Sequence, residues 1–422
     1  AGPDVFLIGC GCPMGSGIGY ADGMRVTADT AEAWYPEFPL PYWDNGTLPA
    51  LRAMVRNSMT RACLGHRWWH NDPDCLMVGT STRLTVPEIV TAATVVAMTC
   101  GMLLLSDDLS QVPPERLDIV TKIFPMTGAT AVVLDTHCTE EGLPSLMRLW
   151  CTDRYQPIIR PEDMDLSQLG ADDHNHEATL LGRYSAFSPD EDTPVASERK
   201  RSCIHVATGL GTWTLLSVSN LMDKTIQARI PWHALLPPPE KGWKDDHPDA
   251  GDHGPIQQAG FHVIQFWSGE YCWMPDPRLG DKRYHLTKSL RAHDTEIFHI
   301  KAVQPSKPAY LGSSIHFSCG YEVSSYEATD RMLAIQLRNK LYRAGSIYLY
   351  IPRPKLDEIK ILVNGKEQAW KAIGNTPQAN NGTRCIGRVI SVPIIIGVEG
   401  NGNDDDDDAS TSHNTGRVEI HF

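Results

Sequence analysis

The sequence predicts an α/β region followed by an all-β region. In the first part of the chain, short apolar runs alternate with segments of helical periodicity, a pattern typical of parallel βα units. After about Pro125 short β-rich runs separated by turn residues replace this pattern, which is typical of an antiparallel β-sandwich. The sequence therefore predicts an α/β domain over residues 1–124 and a β-sandwich domain, or two stacked ones, over residues 125–422.

In the α/β region, buried strands alternate with helices of apolar spacing. A capping box of Thr85 and Glu88 starts one helix, and Pro113-Pro114 starts another. The predicted helices end near Leu64, Cys100 and Phe124, the first of them beginning near Leu48. The predicted strands are Val5–Ile8, Gly23–Val26, Cys75–Val78 and Met102–Leu105.

In the all-β region, runs rich in β-branched and aromatic residues are bounded by turn residues. Two long polar segments, residues 237–254 and 401–416, are predicted to be disordered insertions. The predicted strands are Thr130–Leu134, Trp213–Val218, Gln227–Ile230, His262–Trp267, Thr295–Val303, Met332–Leu337, Ser346–Ile351, Ile359–Val363 and Arg417–Phe422.

The amino-acid composition limits the kinds of molecule that this protein is expected to bind. The formal net charge is −13, from 38 basic and 51 acidic residues, which argues against a nucleic-acid partner because such a partner needs a basic face. No run of eighteen apolar residues occurs, so no membrane-spanning segment is predicted. Neither the eleven cysteines nor the first residues indicate a compartment, and the oligomeric state stays open.

Three motifs carry the chemistry. The first runs from Phe6 through Ile8-Gly9-Cys10-Gly11 and continues with Asp22-Gly23-Met24-Arg25, Asp29 and Trp34. The second is the segment 69–76, Trp-His-Asn-Asp-Pro-Asp-Cys-Leu. The third is the segment 105–110, Leu-Ser-Asp-Asp-Leu-Ser. The residues of these motifs and their order along the chain resemble those of the melibiase-type α-galactosidases of glycoside hydrolase family 36. That resemblance covers roughly the first hundred residues and implies a (β/α)8 barrel with a C-terminal β-domain.

The resemblance implies roles for individual residues. Asp29 corresponds to the general acid/base of a retaining glycosidase, and Arg25 to a sugar-binding residue. The other implied substrate-binding residues are Cys10, Gly11, Trp34, Asp74 and Cys75. The implied reaction is hydrolysis of terminal α-galactosyl residues of oligosaccharides, with no cofactor and no metal.

One part of the family's machinery has no match. A retaining glycosidase needs two carboxyl groups about 5–5.5 Å apart, and in the family the attacking carboxylate follows the barrel strand before the Phe6–Cys10 run. A complete barrel takes about 250 residues, whereas the α/β region offers about 120. The sequence therefore predicts a partial barrel, strands five to eight, which is inactive by itself because it lacks the nucleophile.

Other interpretations stay open. Asp29 is also compatible with a capping role after a strand, Arg25 with an ion pair to Asp29 or Asp22, and the segment 71–74 with a corner held by Asx turns. For Asp107 a structural hydrogen-bonding role is favoured. At the level of function, a non-catalytic carbohydrate-binding protein, a raffinose-type galactosyltransferase and an α-N-acetylgalactosaminidase are alternatives.

Overall fold

The structure is a computed structural model. It describes residues 5–37, 48–136, 143–153, 203–231, 260–275, 285–304, 306–329, 332–338, 343–352, 359–375, 387–396 and 416–421. The predicted insertions at 237–254 and 401–416 lie outside these ranges, apart from Gly416.

The α/β region contains five very short parallel strands and the helices. The strands are β1 Ile8–Gly9, β2 Gly23–Arg25, β3 His70–Asp72, β4 Cys75–Leu76 and β5 Leu104–Leu105. The helices are α1 Met14–Gly17, α2 Leu51–Thr60, α3 Val86–Thr99 and α4 Pro114–Ile123, with a 3₁₀ turn at Ala62–Leu64. One sheet has the order β1-β2-β3, and β4 pairs with β5.

The predicted third strand differs from the observed one. It starts earlier, as β3, and is interrupted at Pro73-Asp74 before it resumes as β4, because proline cannot donate to a ladder and Asp74 has a positive φ of 73°. It stops at Leu76 because the amide of Val78 donates to the carboxylate of Asp107, at 2.6 Å, instead of to a neighbouring strand. The capping box of Thr85 and Glu88 at the start of α3 is confirmed.

The all-β region begins with a seven-stranded sheet in the order β12-β11-β14-β9-β7-β6, in which β8 also pairs with β7. All of its pairs are antiparallel except β7 with β8. These strands are β6 Val132–Val133, β7 Leu146–Thr152, β8 Cys203–His205, β9 Trp213–Ser219, β11 Phe261–Gln265, β12 Tyr271–Met274 and β14 Thr295–Ala302. Two further strands of this part of the chain, β10 Ile226–Pro231 and β13 His285–Leu290, form a separate antiparallel pair.

Two further antiparallel sheets complete the described residues. The first has the order β15-β18-β22-β21 and the second β16-β17-β23-β19-β20. Their strands are β15 Ala309–Ser313, β16 Val323–Ala328, β17 Met332–Leu337, β18 Arg343–Pro352, β19 Lys360–Val363, β20 Lys366–Glu367, β21 Lys371–Asn375, β22 Gly387–Ile396 and β23 Arg417–His421. The prediction of a β-rich second part is therefore confirmed, with β17 matching its predicted bounds.

Helix α3 connects the two regions. Nearly all of its residues are buried, and it packs against β7, β9 and β14 of the seven-stranded sheet. Because side chains alternate across a strand, Leu215 and Ile297 face the core shared with α3, whereas Leu216 and Phe298 face a second core shared with β10 and β13. The α/β region is thus held to one face of this sheet.

None of the helices in the described ranges combines the length and the apolar character that crossing a lipid bilayer requires.

A buried histidine packs against Pro125, the residue at which the α/β region gives way to the all-β region. His316 is 1% exposed, and its Nε2 lies 3.0 Å from the carbonyl oxygen of Pro125. Burial, together with the nearby Arg343, lowers the pKa of His316 to about 3. Since the unfolded chain takes up a proton near pH 6.5, the stability contributed by neutral His316 is complete above that pH and is lost as the pH falls towards 3.

We expect His316→Gln to flatten the acid limb of the stability profile. The variant should be less stable at pH 7, but between pH 6 and 4 its free energy of unfolding should fall less steeply than that of the parent, by about 1.4 kcal/mol per pH unit for one proton. Urea unfolding at several pH values measures this slope. His285→Gln, at an exposed position of β13, is the control; equal slopes for the parent and His316→Gln would contradict the assignment.

Candidate functional site

The site is built on the carboxyl ends of β2 and β3. In their parallel register Arg25 pairs with Asp72, and paired residues of a parallel ladder point to the same face. The guanidinium and the carboxylate therefore meet without any loop rearrangement: Arg25 Nε donates to Asp72 Oδ2 at 3.0 Å. The Asp72 side chain is only 4% exposed, so this ion pair is largely removed from water.

Two more carboxylates converge on the same guanidinium. Arg25 Nη1 donates to Asp29 Oδ1 at 3.2 Å, and it lies 3.0 Å from Asp74 Oδ2. Partial burial opposes the charge of Arg25, but the hydrogen bond to Asp72 and the charges of Asp72 and Asp74 outweigh it, so the pKa of the guanidinium is raised. Three acidic groups thus surround one permanent cation.

The loop after β2 is fixed to the corner after β3. The amide of Val26 donates to the carbonyl of Asp72 at 2.9 Å, Thr27 Oγ1 donates to the carbonyl of Pro73 at 3.0 Å, and the amide of Thr30 donates to Asp74 Oδ2 at 2.8 Å. These bonds hold the backbone on both sides of Asp29. Its side chain nevertheless is 76% exposed, so its carboxylate is available to a ligand in solvent.

Asp74 and Cys75 follow the interruption between β3 and β4. Asp74 adopts a left-handed conformation that is uncommon for a residue with a Cβ, and such conformations cluster at functional sites. This turn lets Asp74 reach back to Thr30 and Arg25. Burial, with the charge and hydrogen bond of Asp74, raises the pKa of the Cys75 thiol, which favours its neutral form.

Cys10 and Gly11 lie just after β1. Cys10 is exposed and close enough to Arg25 to interact with it electrostatically. Gly11 has a φ of +64°, and a side chain added there would contact nothing within 4 Å. The backbone is therefore open at this point, which leaves room for a ligand beside Cys10.

Trp34 lies elsewhere. Its ring is 4% exposed and stacks on the ring of His293 at 4.2 Å between centroids. His293 belongs to the turn between β13 and β14, so this ring contact of Trp34 joins the loop after β2 to the all-β region. The structure brings Arg25, Asp29 and Asp74 together, but it gives Trp34 a packing contact.

Asp107 and Asn71, for which structural roles were considered, also have hydrogen-bond partners. Asp107 accepts hydrogen bonds from the amides of Val78, at 2.6 Å, and Gly79, at 2.8 Å, which agrees with the role favoured for it. Asn71 accepts from Trp69 Nε1 at 3.1 Å and donates to the carbonyl of Arg61 at 3.0 Å. Asn71 thus supports the strand end that carries Asp72, whereas Asp107 supports the loop after β4.

Asp72 belongs to the second sequence motif, but it is not among the site residues predicted from the sequence. Its signal is positional, because Arg25 ends β2 and Asp72 ends β3. Recognising the pair requires the register of the two strands, which the sequence does not show. Within the described ranges, no group of three or more His, Cys, Asp or Glu residues has the arrangement of a metal site.

No protein-family model matches the chain. Similar solved structures include α-galactosidase I from Mortierella vinacea, with 11% identity over 66% of this chain and 53% of that one and a TM-score of 0.35. The α-galactosidase of Thermus thermophilus in complex with stachyose is 28% identical over 29% of this chain and 27% of that one, with a TM-score of 0.25. A GH27 β-L-arabinopyranosidase from Geobacillus stearothermophilus is 12% identical over 70% of this chain and 49% of that one, with a TM-score of 0.37.

The chain thus spans about a quarter to about half of the length of these proteins. Two of the three are named as α-galactosidases and the third as a β-L-arabinopyranosidase. Membership of family 36 stays a prediction.

We expect Asp72→Asn to destabilise the protein by about 2 kcal/mol. Asp72 accepts with both oxygens, from Arg25 Nε and from the amide of Asp74, whereas an asparagine can accept with only one and would direct an N–H at the other donor. Glu37→Gln, which breaks an exposed ion pair with Arg83, should cost no more than about 1 kcal/mol. Urea unfolding compares the two, and equal losses would contradict a structural role for the buried pair.

Proposed function

We propose that this chain carries the acid/base half of a retaining α-galactosidase site. In this proposal Asp29 protonates the departing glycosidic oxygen, and Arg25 holds the galactosyl ring with Cys10, Gly11, Asp74 and Cys75. The observation that supports it best is the pairing of an exposed carboxylate with an oriented guanidinium at the carboxyl ends of parallel strands, the edge where β/α enzymes hold their substrates.

Orientation of the guanidinium matters for sugar binding. Asp72 engages Arg25 through Nε, so the Nη edge of the fork is directed towards Asp29 and Asp74. A planar fork with several donors suits the vicinal hydroxyls of a sugar ring. The exposed carboxylate of Asp29 adjoins this edge, so a ring bound there would present its glycosidic oxygen to a proton donor.

The two carboxylates next to Asp29 are the first candidates for the attacking group. Retention requires a second carboxylate about 5–5.5 Å from the acid/base, and Asp72 and Asp74 are the ones that share Arg25 with Asp29. Both oxygens of each are engaged: Asp72 by Arg25 and the amide of Asp74, and Asp74 by the amides of Thr30 and Cys75. Neither is therefore suited to attack an anomeric carbon.

The sheet edge at β1 supports the idea of a partial barrel. Residues 5–8 are between 44% and 54% exposed, although they are apolar, whereas Met24 of β2 and Asn71 of β3 are buried. A further parallel strand beside β1 would cover residues 5–8. We therefore assign β1, β2, the interrupted strand β3–β4 and β5 to strands five to eight of a (β/α)8 barrel over residues 1–124, with the nucleophile on the strand that precedes them.

The engagement of both carboxylate oxygens of Asp72 and of Asp74 favours a second candidate for the chain acting alone, namely carbohydrate binding without turnover. A galactosyltransferase or an α-N-acetylgalactosaminidase would use the same two carboxylates. Analysis of the products formed from raffinose, once turnover is obtained, distinguishes these enzymes from a hydrolase.

We expect galactose to bind and Arg25 to control its affinity. In a calorimetric titration Arg25→Lys should weaken galactose binding about tenfold, because lysine keeps the charge but loses the planar fork. Arg291→Lys changes an exposed arginine of the all-β region and should leave the affinity unchanged. Circular dichroism verifies that both variants are folded; no galactose binding by the parent chain, or equal affinities of all three proteins, would overturn the proposal.

We expect no turnover of a nitrophenyl α-galactoside by this chain alone, because the carboxylates next to Asp29 are already engaged. The measurement is release of nitrophenol by the parent and by Asp29→Asn, with Asp118→Asn, an exposed aspartate of α4, as the matched control. Turnover that only Asp29→Asn abolishes would show that the chain contains a working nucleophile, and the half-site proposal would then be wrong.

A further inference from the structure

Two cysteines separated by one glycine follow β1, at the edge of the sheet that carries the candidate site. The segment is Cys10-Gly11-Cys12, and both thiols are free. The eleven cysteines of the sequence include no other two so close together, since the next closest two lie twelve residues apart. Cys10 has a part in the proposed function, but Cys12 has none, so the second thiol is unaccounted for.

The backbone allows a bond between these two thiols. Two residues of fully extended chain span at most about 7 Å, and the chain bends at Cys10 and Gly11, so the Cα atoms of the two cysteines are closer than this limit. A disulfide needs Cα atoms roughly 4.4–6.8 Å apart. Gly11 has a positive φ of 64°, a conformation that a residue with a Cβ rarely adopts. Glycine between the cysteines is therefore what permits the bend.

The two thiols differ in their access to solvent. Cys10 is exposed, whereas Cys12 is partly buried and packs against the small core that contains Met24 and Trp69. The Cys12 thiol donates to the carbonyl oxygen of Pro13, with 3.5 Å between sulfur and oxygen. An accessible thiol is the first to react with an oxidant from solvent, and a neighbouring thiol then closes the disulfide. The arrangement thus suits an attacking cysteine and a resolving cysteine.

The exposed thiol lies beside the candidate site. Cys10 interacts electrostatically with Arg25, and the open backbone at Gly11 adjoins it. A bond to Cys12 would turn the Cys10 sulfur towards its partly buried neighbour and would close a small covalent ring at this point of the chain. A ligand held by both Arg25 and Cys10 would then lose one of its polar contacts. Formation of the disulfide and binding of the ligand therefore oppose each other.

We propose that Cys10 and Cys12 form a reversible disulfide, and that this bond weakens galactose binding when the protein meets a peroxide. The effect on galactose rests on the proposed function, whereas the disulfide itself does not. The Cys10 sulfur attacks one oxygen of hydrogen peroxide, the O–O bond breaks, and a sulfenic acid and one water form. The Cys12 sulfur then attacks the sulfenic sulfur, and the second water leaves with the remaining thiol proton. Two thiols are thus oxidised while the peroxide is reduced to two waters, and an added dithiol reverses the change by being oxidised itself.

Peptide mass and galactose affinity, measured before and after treatment with excess hydrogen peroxide, test the inference. Trypsin releases residues 1–25 as one peptide, because Arg25 is the first basic residue of the chain. In the parent this peptide should lose two hydrogen atoms, apart from any oxygen added at its methionines. Galactose should bind about tenfold more weakly, as expected for the loss of one hydrogen bond, and dithiothreitol should restore the hydrogen atoms and the affinity. Cys63→Ser removes an exposed cysteine of the 3₁₀ turn and should behave like the parent.

Cys12→Ser separates the disulfide from oxidation of Cys10 alone. In the reduced state this variant should bind galactose like the parent. Without a resolving thiol, excess peroxide should carry Cys10 on to a sulfinic acid, which dithiothreitol does not reduce, so its loss of affinity should be permanent.

The inference is overturned if the parent peptide keeps its hydrogen atoms, if the oxidised parent binds galactose as tightly as the reduced one, or if dithiothreitol rescues Cys12→Ser as fully as the parent. Failure of the proposed function has a different signature, because the reduced parent would then not bind galactose at all. The effect on affinity would be wrong together with the proposed function, whereas the peptide mass by itself decides whether the disulfide forms.

Discussion

The ion pair between Arg25 and Asp72 is the interaction on which the candidate site depends. It follows from the register of two parallel strands, because Arg25 and Asp72 are partners in the ladder and point to the same face. Burying two opposite charges is favourable only when further hydrogen bonds satisfy them. Here Asp72 also holds the amide of Asp74, so the pair and the corner after β3 stabilise each other.

The rest of the site is arranged around that pair. With Nε engaged by Asp72, the other edge of the guanidinium meets Asp74 and the exposed Asp29. Asp74 in turn accepts from the amide of Thr30, which fixes the backbone just after Asp29. The fixed guanidinium of Arg25 thus sets the positions of the two residues that we propose as proton donor and sugar ligand, Asp29 and Arg25 itself.

The all-β region supports the α/β region through polar as well as apolar contacts. His293 lies between Glu88 Oε1, at 2.8 Å from Nδ1, and Asp223 Oδ1, at 2.9 Å from Nε2, and Trp34 stacks on its ring. Thr91 of α3 donates to the carbonyl of His293 at 2.7 Å. Glu88 therefore both caps α3 and joins it to the turn before β14, which explains why Trp34 packs here although the family resemblance implied a substrate contact.

Local pattern determined much of the secondary structure. The capping box, the proline start of α4 and the apolar strand β17 can be recognised from neighbouring residues, because the interactions that create them are short in sequence. Arg25, Asp29 and Asp74 were selected through the family resemblance. Strands such as Val323–Ala328, largely exposed and polar, lack that pattern and were missed. Only the tertiary structure decided that Asp72 is the partner of Arg25 and that Trp34 packs on His293, since each of these contacts joins segments far apart in the chain and depends on strand register and packing that no local sequence pattern encodes.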